Sequence, residues 1–354
     1  MILRKLAFCT SICFSAGTLA NDSIARIGST GLVLVKSDSI QMKKEILEIS
    51  EKSIKVQYEF MNVGKNDIET LVAFPMPVYG FNLGQSASDM NVGPIADFNV
   101  SSNGNKINVQ PHFKALLNNR EVSSELRSIG LTDTQIFSTF AGCKLTDDFS
   151  CEISQEQINQ LKKISAFSTD GFSSSSKYPL GPSWPMWKYG PTWDVEQTLT
   201  WKQNFAANKI TDIRHSYTPL VGGVYNYPIY NSILEKNIAI QAASVANENN
   251  TEACIDDGFK KAYAKKLADF QKSGVKSVQV SLSDVEYVLG TGKNWAGPIQ
   301  EFTLRIKKQT PDQLVSLCFP GTPKKIDPLT LEFNHRDLVP QDKLIVYFYS
   351  FRVD

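Results

Sequence analysis

The sequence contains three histidines, which could take part in acid–base catalysis. His215 is the best candidate for a general base. His215 follows Arg214 and lies close to an aromatic-rich segment, and imidazole is the side chain that titrates nearest neutral pH. As the base of a hydrolase it would need an unidentified serine or carboxylate, because such a site is defined by geometry and not by spacing. Alternatively, its imidazole fills one face of a strand and hydrogen-bonds to a carbonyl. Both interpretations of His215 stay open at this stage.

Tryptophans are concentrated in a segment that is too rich in proline to form a regular helix or a central strand. Their rings either plug a gap between two layers of structure or form a platform for sugar rings or a peptide. A platform would also use an asparagine able to hydrogen-bond to a ligand. The candidate ligand-binding residues are Trp184, Trp187, Trp193, Trp295 and Asn294.

Four cysteines follow the first twenty residues, and an even number in an exported chain favours disulfides. Of the three possible pairings we prefer Cys143 with Cys151 and Cys254 with Cys318. A zinc site with four thiolates is the rival interpretation, but these cysteines include no CxxC pair. We therefore predict two disulfides and no metal site.

Known catalytic and cofactor motifs are missing or incomplete in the sequence. Gly290-Thr291-Gly292-Lys293 lacks the further residues of a phosphate-binding or dinucleotide-binding loop, and its position between two predicted strands favours a hairpin turn. There is no GxSxG and no HExxH. We predict no cofactor and favour a protein that is not an enzyme.

The first twenty residues have the pattern of a secretory signal. Arg4 and Lys5 precede a short apolar run, and small residues end at Ala20, so the mature chain would start at Asn21. Loss of Arg4 and Lys5 changes the net charge from +1 to −1, which gives no general attraction to nucleic acid. No other run is apolar enough to span a bilayer. We expect a periplasmic or secreted protein.

Alternating apolar and polar residues predict strands over most of the chain. One such strand contains Tyr58 and Phe60, a second runs from Val195 to Trp201, and a third contains His215. The Asn-containing loop between the second and third favours a hairpin. The fold class that follows is mainly β (α+β overall), with two antiparallel sandwich-like halves.

Helical signals are clustered in the middle of the chain. Apolar spacing from Phe113 to Arg120 predicts a helix, and capping-box spacings at Thr132 and Ser154 predict two more. A further helix is expected at about 256–272, where acidic residues precede and lysines follow.

We therefore divide the chain into four parts. They are a signal peptide (1–20), an N-terminal β-sandwich (21–110), a helical and Trp/Pro-rich insertion (111–192) and a C-terminal β-rich domain with one helix (193–354).

Several landmarks together resemble an uncharacterised family of exported bacterial proteins, catalogued as a domain of unknown function. Their order along the chain makes the resemblance specific, and it covers nearly the whole mature chain. The resemblance implies an exported, periplasmic, β-rich protein of a Gram-negative bacterium, and it implies no activity or site residue. The landmarks are Asn21-Asp22-Ser23, Gly31-Leu32-Val33-Leu34 with Lys36-Ser37-Asp38, the segment YEFMNVGKNDIETLVAFPMP from Tyr58, Trp201-Lys202-Gln203-Asn204-Phe205, His215-Ser216-Tyr217-Thr218-Pro219 and YVLGTGKNWAGPIQEFTLRI from Tyr287.

Taken together, these features favour an exported, non-enzymatic binding or envelope-associated protein that recognises glycan or peptide through an aromatic surface. The first alternative is a cell-envelope hydrolase that uses His215. The second is a structural subunit that pairs with a partner through an edge strand.

Overall fold

The computed structural model describes residues 22–28, 31–80, 94–137, 143–144, 150–151, 153–168, 190–230, 254–275, 277–341 and 343–353. Strands dominate these ranges, so the predicted mainly-β, α+β class is confirmed. The strands are β1 Ser23–Gly28, β2 Gly31–Val35, β3 Ile40–Ile49, β4 Ile54–Asn62, β5 Ile68–Pro75, β6 Tyr79–Gly80, β7 Asn99–Ser102, β8 Asn105–Ile107, β9 Gln110–Leu117, β10 Arg120–Glu121, β11 Cys143–Lys144, β12 Ser150–Cys151, β13 Phe167–Ser168, β14 Gly190–Pro191, β15 Asp194–Phe205, β16 Ile210–Tyr217, β17 Val221–Tyr230, β18 Ser277–Val288, β19 Ile299–Lys307, β20 Leu314–Leu317, β21 Lys324–Asp327, β22 Thr330–Leu338 and β23 Lys343–Val353. The helices are α1 Ser123–Ser128, α2 Asp133–Phe137, α3 Gln155–Lys163 and α4 Asp257–Lys272.

Three sheets carry most of the fold. Sheet A has the strand order β10-β9-β15-β5-β1-β2, with β6 also paired to β15. Sheet B has the order β21-β22-β19-β3-β4-β16-β7-β8, and sheet C the order β17-β18-β23-β20. Pairing is antiparallel except between β3 and β19 in sheet B, which run parallel.

One apolar core joins the three sheets. It contains Trp201 from sheet A, Phe60 and Phe302 from sheet B, and Tyr287 and Phe348 from sheet C. Phe60 and Phe302 alternate along their strands with more exposed residues, as the period-two pattern predicts, whereas β15 and β23 are buried on both faces around Trp201 and Phe348. The core is therefore made of residues far apart in sequence.

The helices pack around this core in two places. Buried residues of α1, α2 and α3 form a second apolar cluster with Trp193 and Val195. Helix α4 packs through Tyr263 and Leu267 in a third cluster that includes Val278 of sheet C. The predicted capping box at Ser154 is present, and Asp256 accepts the N-terminal backbone hydrogen bond of α4.

The predicted hairpin between β15 and β16 is wrong. β15 pairs with β5, β6 and β9 of sheet A, whereas β16 pairs with β4 and β7 of sheet B. The short loop between them carries the chain from one sheet to the other. Gly290–Asn294, also predicted as a hairpin turn, is a 3-10 helix between β18 of sheet C and β19 of sheet B. Periodicity identified the strands but not their partners.

The helix predicted from Phe113 to Arg120 is also wrong, because residues 110–117 form β9. This strand pairs with β15 over seven residues, from Gln110 opposite Thr200 to Leu116 opposite Asp194. The ladder of hydrogen bonds along β15 outweighs the weak helical spacing of this segment.

Sheets A and B each combine strands from both sides of the predicted boundary at residue 193. The two halves predicted at 21–110 and 193–354 therefore do not form separate sandwiches. The helical part of the predicted insertion, 111–192, packs against strands of sheet A.

Candidate functional site

Trp193 and Trp295 are core residues and lie in different apolar clusters. Trp193 is 3% exposed, and its indole N–H donates to the carbonyl of Ile136 at 2.9 Å. Trp295 is 1% exposed and donates to the carbonyl of Asp22 at 2.7 Å. Neither ring is available to stack on a ligand, so a shared aromatic surface containing both is not formed. Trp184 and Trp187 lie outside the described residues.

Asn294 holds the N-terminal strand in place. Its side-chain amide donates to the hydroxyl of Ser23 at 3.0 Å, and its backbone carbonyl accepts from the backbone N–H of Ser37 at 2.7 Å. The predicted ligand-binding asparagine is therefore engaged within the fold.

One of the two predicted disulfides is present. Cys254 and Cys318 are joined, which links the segment before α4 to the segment after β20. Cys143 and Cys151 stand opposite each other in the β11–β12 ladder. The side chains of these two cysteines lie outside what the structure describes, so their disulfide stays a prediction.

His215 is sealed in the core between sheets A and B. Its side chain is 0% exposed and is surrounded by aromatic rings, with ring centroids 5.1–5.4 Å from those of Tyr58, Phe74, Phe98 and Trp201. Its Nε2 lies 3.4 Å from Oδ1 of Asp22, which is also fully buried. Burial lowers the pKa of His215 to about 3, so the imidazole is neutral at ordinary pH.

Asp22 and Glu45 place two carboxyl groups in the same region of the core, both 0% exposed. Burial is the main cause that raises the pKa of Asp22 well above 3.8, and the neighbouring Glu45 adds to it. The hydroxyls of Tyr58 and Tyr287 lie 3.1 Å apart, and burial likewise raises both of their pKa values. These residues, with His215, are called the buried polar cluster below.

The buried polar cluster cannot act on a substrate that stays in solvent. A general base must come within hydrogen-bonding distance of the proton that it removes, and the described structure surrounds His215 with packed side chains. Asp22 supplies a nearby carboxyl, as the hydrolase hypothesis requires, but no route to solvent accompanies it among the described residues.

A β-bulge in β3 explains how Glu45 enters the core. The register between β3 and β4 shifts between Met42 and Lys44, so Lys43 has no partner in β4. The alternation of buried and partly exposed residues shifts by one position there, because Met42 is buried before the bulge and Glu45 is buried after it. The extra residue thus turns Glu45 inward and leaves Lys43 and Lys44 partly exposed. The run Lys43-Lys44-Glu45 inside an alternating strand was the sequence signal for this bulge.

A polar cleft of about 420 Å³ opens beside this bulge on the face of sheet B. Residues of four adjacent strands, β4, β3, β19 and β22, line it. They are Lys43, Lys44, Glu59, Gln300, Glu301, Arg336 and Asp337. Sequence reasoning missed this cleft entirely, because its halves are more than 240 residues apart and meet only through the parallel pairing of β3 with β19.

The charges in the cleft alternate in sign across the strands. Glu59 lies opposite Lys44, Lys44 opposite Glu301, and Glu301 opposite Arg336. Asp337, beside Arg336, has a left-handed backbone with φ 51°. Such a row can hold a ligand that carries both a positive and a negative charge.

Metal-binding groups and membrane-spanning helices are absent from the described residues. Within the described ranges, no group of three or more His, Cys, Asp or Glu is arranged to hold a metal ion. Among those residues there is also no helix with the length and apolar character that crossing a bilayer requires.

Comparison with known proteins finds a family model that matches and solved structures of low similarity. The crystal structure of a candidate nutrient-binding protein from Legionella pneumophila is 14% identical, with a TM-score of 0.42; the match covers 94% of this chain and 70% of that one. No curated protein matches the sequence. The model of the domain of unknown function DUF4424 matches residues 20–347. The chain therefore belongs to the DUF4424 family.

Proposed function

We propose that this protein is an exported, non-enzymatic binding protein that recognises glycan or peptide material of the cell envelope. The observation that carries the proposal is the cleft of about 420 Å³, whose lining includes charges of both signs. Its volume lies within the range of about 300–1,000 Å³ typical of small-molecule sites. The signal-like first twenty residues support export.

The hydrolase hypothesis has less support, because its only named base is buried. His215 is neutral and enclosed, and its closest carboxyl, on Asp22, is fully buried as well. This arrangement suits a structural role, in which the imidazole packs among aromatic rings and lies next to the Asp22 carboxyl within the core.

The edge-strand hypothesis has little support from sheet B. Its edge strands are β21 and β8, and they carry Lys324, Lys325 and Lys106. Lysines on an edge strand oppose pairing with another chain.

Calorimetry with soluble peptidoglycan fragments tests the binding proposal. We expect saturable binding, with fragments of unchanged mass after long incubation. Absence of binding to the fragments would contradict the proposal, and a fragment cleaved by the protein would favour the hydrolase instead.

Export has its own test, which is N-terminal sequencing of the protein recovered from a periplasmic extract. We expect the chain to start at Asn21. An intact Met1 in the cytoplasmic fraction would contradict export.

A further inference from the structure

We infer that the cleft on sheet B binds short peptides with a free ammonium group and a free carboxylate. This inference rests on the proposed binding function and names the class of its ligand. Arg336 would bind the carboxylate, and Glu301 with Asp337 would bind the ammonium group.

Strand pairing sets the layout of the charges in the cleft. Glu59, Lys44, Glu301 and Arg336 stand in one row on four neighbouring strands. Adjacent strands are about 4.8 Å apart, so charges of opposite sign recur at that spacing and charges of the same sign at about twice it. The row therefore offers paired sites for a ligand with one charge of each sign.

Some of the charges in the cleft are already paired or hydrogen-bonded. Lys44 lies 3.9 Å from Glu59. Lys43 donates to the side-chain carbonyls of Gln41 and Gln300, at 2.9 and 3.2 Å. By contrast, no ion pair within 4 Å involves Arg336, Glu301 or Asp337 in the part of the chain that the structure describes. Three charges at the β19–β22 side of the cleft are thus available.

An ordinary solvated sheet face is the competing explanation, since alternating charges also stabilise cross-strand pairing. Two irregularities of the backbone are not explained by an ordinary solvated sheet face. Lys43 bulges from β3, and Asp337 has a left-handed backbone within β22. Aspartate tolerates that conformation, but a regular strand does not require it. Both irregularities border the cleft.

The chemistry of the available charges indicates the class of ligand. A guanidinium binds a carboxylate through two parallel hydrogen bonds, and carboxylates accept hydrogen bonds from an ammonium group. An extended peptide advances about 3.3–3.6 Å per residue, so its two charged ends are about 7–10 Å apart in a dipeptide or tripeptide. Arg336 and Glu301 are one strand spacing apart at the backbone, so their long side chains must diverge above the sheet to span that distance. The described lining contains no aromatic ring on which a neutral sugar could stack.

Calorimetry at low salt with trialanine tests the inference, because both of its ends are free. We expect the wild-type protein to bind trialanine, and to bind N-acetyl-trialanine-amide at least tenfold more weakly. Arg336→Gln should weaken the binding of trialanine at least tenfold. Lys209→Gln is the matched control, since Lys209 is an exposed cation in the loop between β15 and β16, and it should leave the affinity unchanged.

Three results would overturn the inference: no binding of trialanine to the wild type, equal binding of the blocked peptide, or full affinity in a folded Arg336→Gln variant. The peptidoglycan fragments separate this failure from a failure of the proposed function. If the fragments bind and trialanine does not, only the ligand class is wrong. If neither binds, the binding function is wrong as well.

Discussion

Lys44 and Glu45 are neighbours in β3, yet they belong to two regions of opposite physical character. Glu45 faces the buried polar cluster, and Lys44 faces the charged cleft. Both regions contain acidic and basic side chains. What distinguishes them is contact with water, and this decides whether a charged residue supports the fold or remains available to a ligand.

Desolvation dominates in the buried polar cluster. It raises the pKa of Asp22 and lowers that of His215, so both groups favour their neutral forms. In the cleft, solvent screens the charges, and an exposed pair such as Lys44 with Glu59 contributes only about 0–1 kcal/mol to stability. Substitutions should therefore affect stability in the first region and binding in the second.

The largest effect is expected for Trp295→Ala, which removes a fully buried indole beside Asp22. The free energy of unfolding should fall by about 3–5 kcal/mol. Trp295→Phe, which keeps most of the apolar contact but loses the hydrogen bond to the Asp22 carbonyl, should cost less. Denaturant unfolding measures the loss of stability in both variants. Equal losses would mean that the hydrogen bond accounts for the whole effect and that packing of the indole contributes nothing.

A matched pair of truncations, Glu45→Ala and Glu301→Ala, compares the two regions directly. Glu45→Ala should lower the free energy of unfolding by about 1–3 kcal/mol, because removal of the buried side chain leaves a cavity in the core. The exposed residue should change stability by no more than about 0.5 kcal/mol. A larger loss for Glu301→Ala, again by denaturant unfolding, would contradict the division into a structural and an accessible region.

The pH dependence of stability should show how Asp22 and His215 titrate together. The folded pair keeps one proton over a wide range, since the pKa of His215 is lowered to about 3 and that of Asp22 is raised. Unfolded, the pair holds one proton between the ordinary values of 3.8 and 6.5, and none above 6.5. The contribution of the pair to the free energy of unfolding should therefore be constant between pH 3.8 and 6.5. Above 6.5 it should fall by about 1.4 kcal/mol per pH unit, until the Asp22 carboxyl ionises in the folded protein.

His215→Gln provides the control for this profile. Without the histidine, the loss of stability from the raised pKa of Asp22 should begin near pH 3.8. The free energy of unfolding of the wild type, minus that of the variant, should then increase by about 1.4 kcal/mol per pH unit from about pH 3.8 to 6.5. Subtracting the two profiles cancels contributions from Glu45, Tyr58 and Tyr287. Parallel profiles would show that the pKa of His215 is not lowered in the folded protein.

The smallest effect on stability is expected in the cleft itself. Lys44→Gln removes one partner of an exposed ion pair and should change the free energy of unfolding by less than about 1 kcal/mol. Thermal unfolding at low and high salt would measure it. A loss that persists at high salt would show that Lys44 has a packing role in β3.

The sequence predicted the individual strands better than their arrangement. Alternation located β4, β15 and β16, because each has one face in the core. It could not show that β15 and β16 belong to different sheets, since a period of two is the same whichever strand is the partner. Residues 113–120 were misassigned because pairing with β15, not local spacing, decides their conformation.

The candidate site was less predictable than the fold. The cleft depends on the pairing of β3 with β19, and no local pattern connects Lys44 with Glu301. The tryptophan-rich segment attracted attention because indole is common in binding sites, but Trp193 and Trp295 each use the N–H to tie the chain together inside the core. His215 was correctly expected on a strand, and its aromatic enclosure became visible only in three dimensions.

The most direct test of this account measures trialanine binding to His215→Gln and Arg336→Gln side by side, each checked for folding by circular dichroism. We expect wild-type affinity for the folded His215→Gln variant and at least a tenfold loss of affinity for Arg336→Gln. The opposite result, in which binding depends on His215 and not on Arg336, would place the functional site in the core and contradict the assignment of recognition to the cleft.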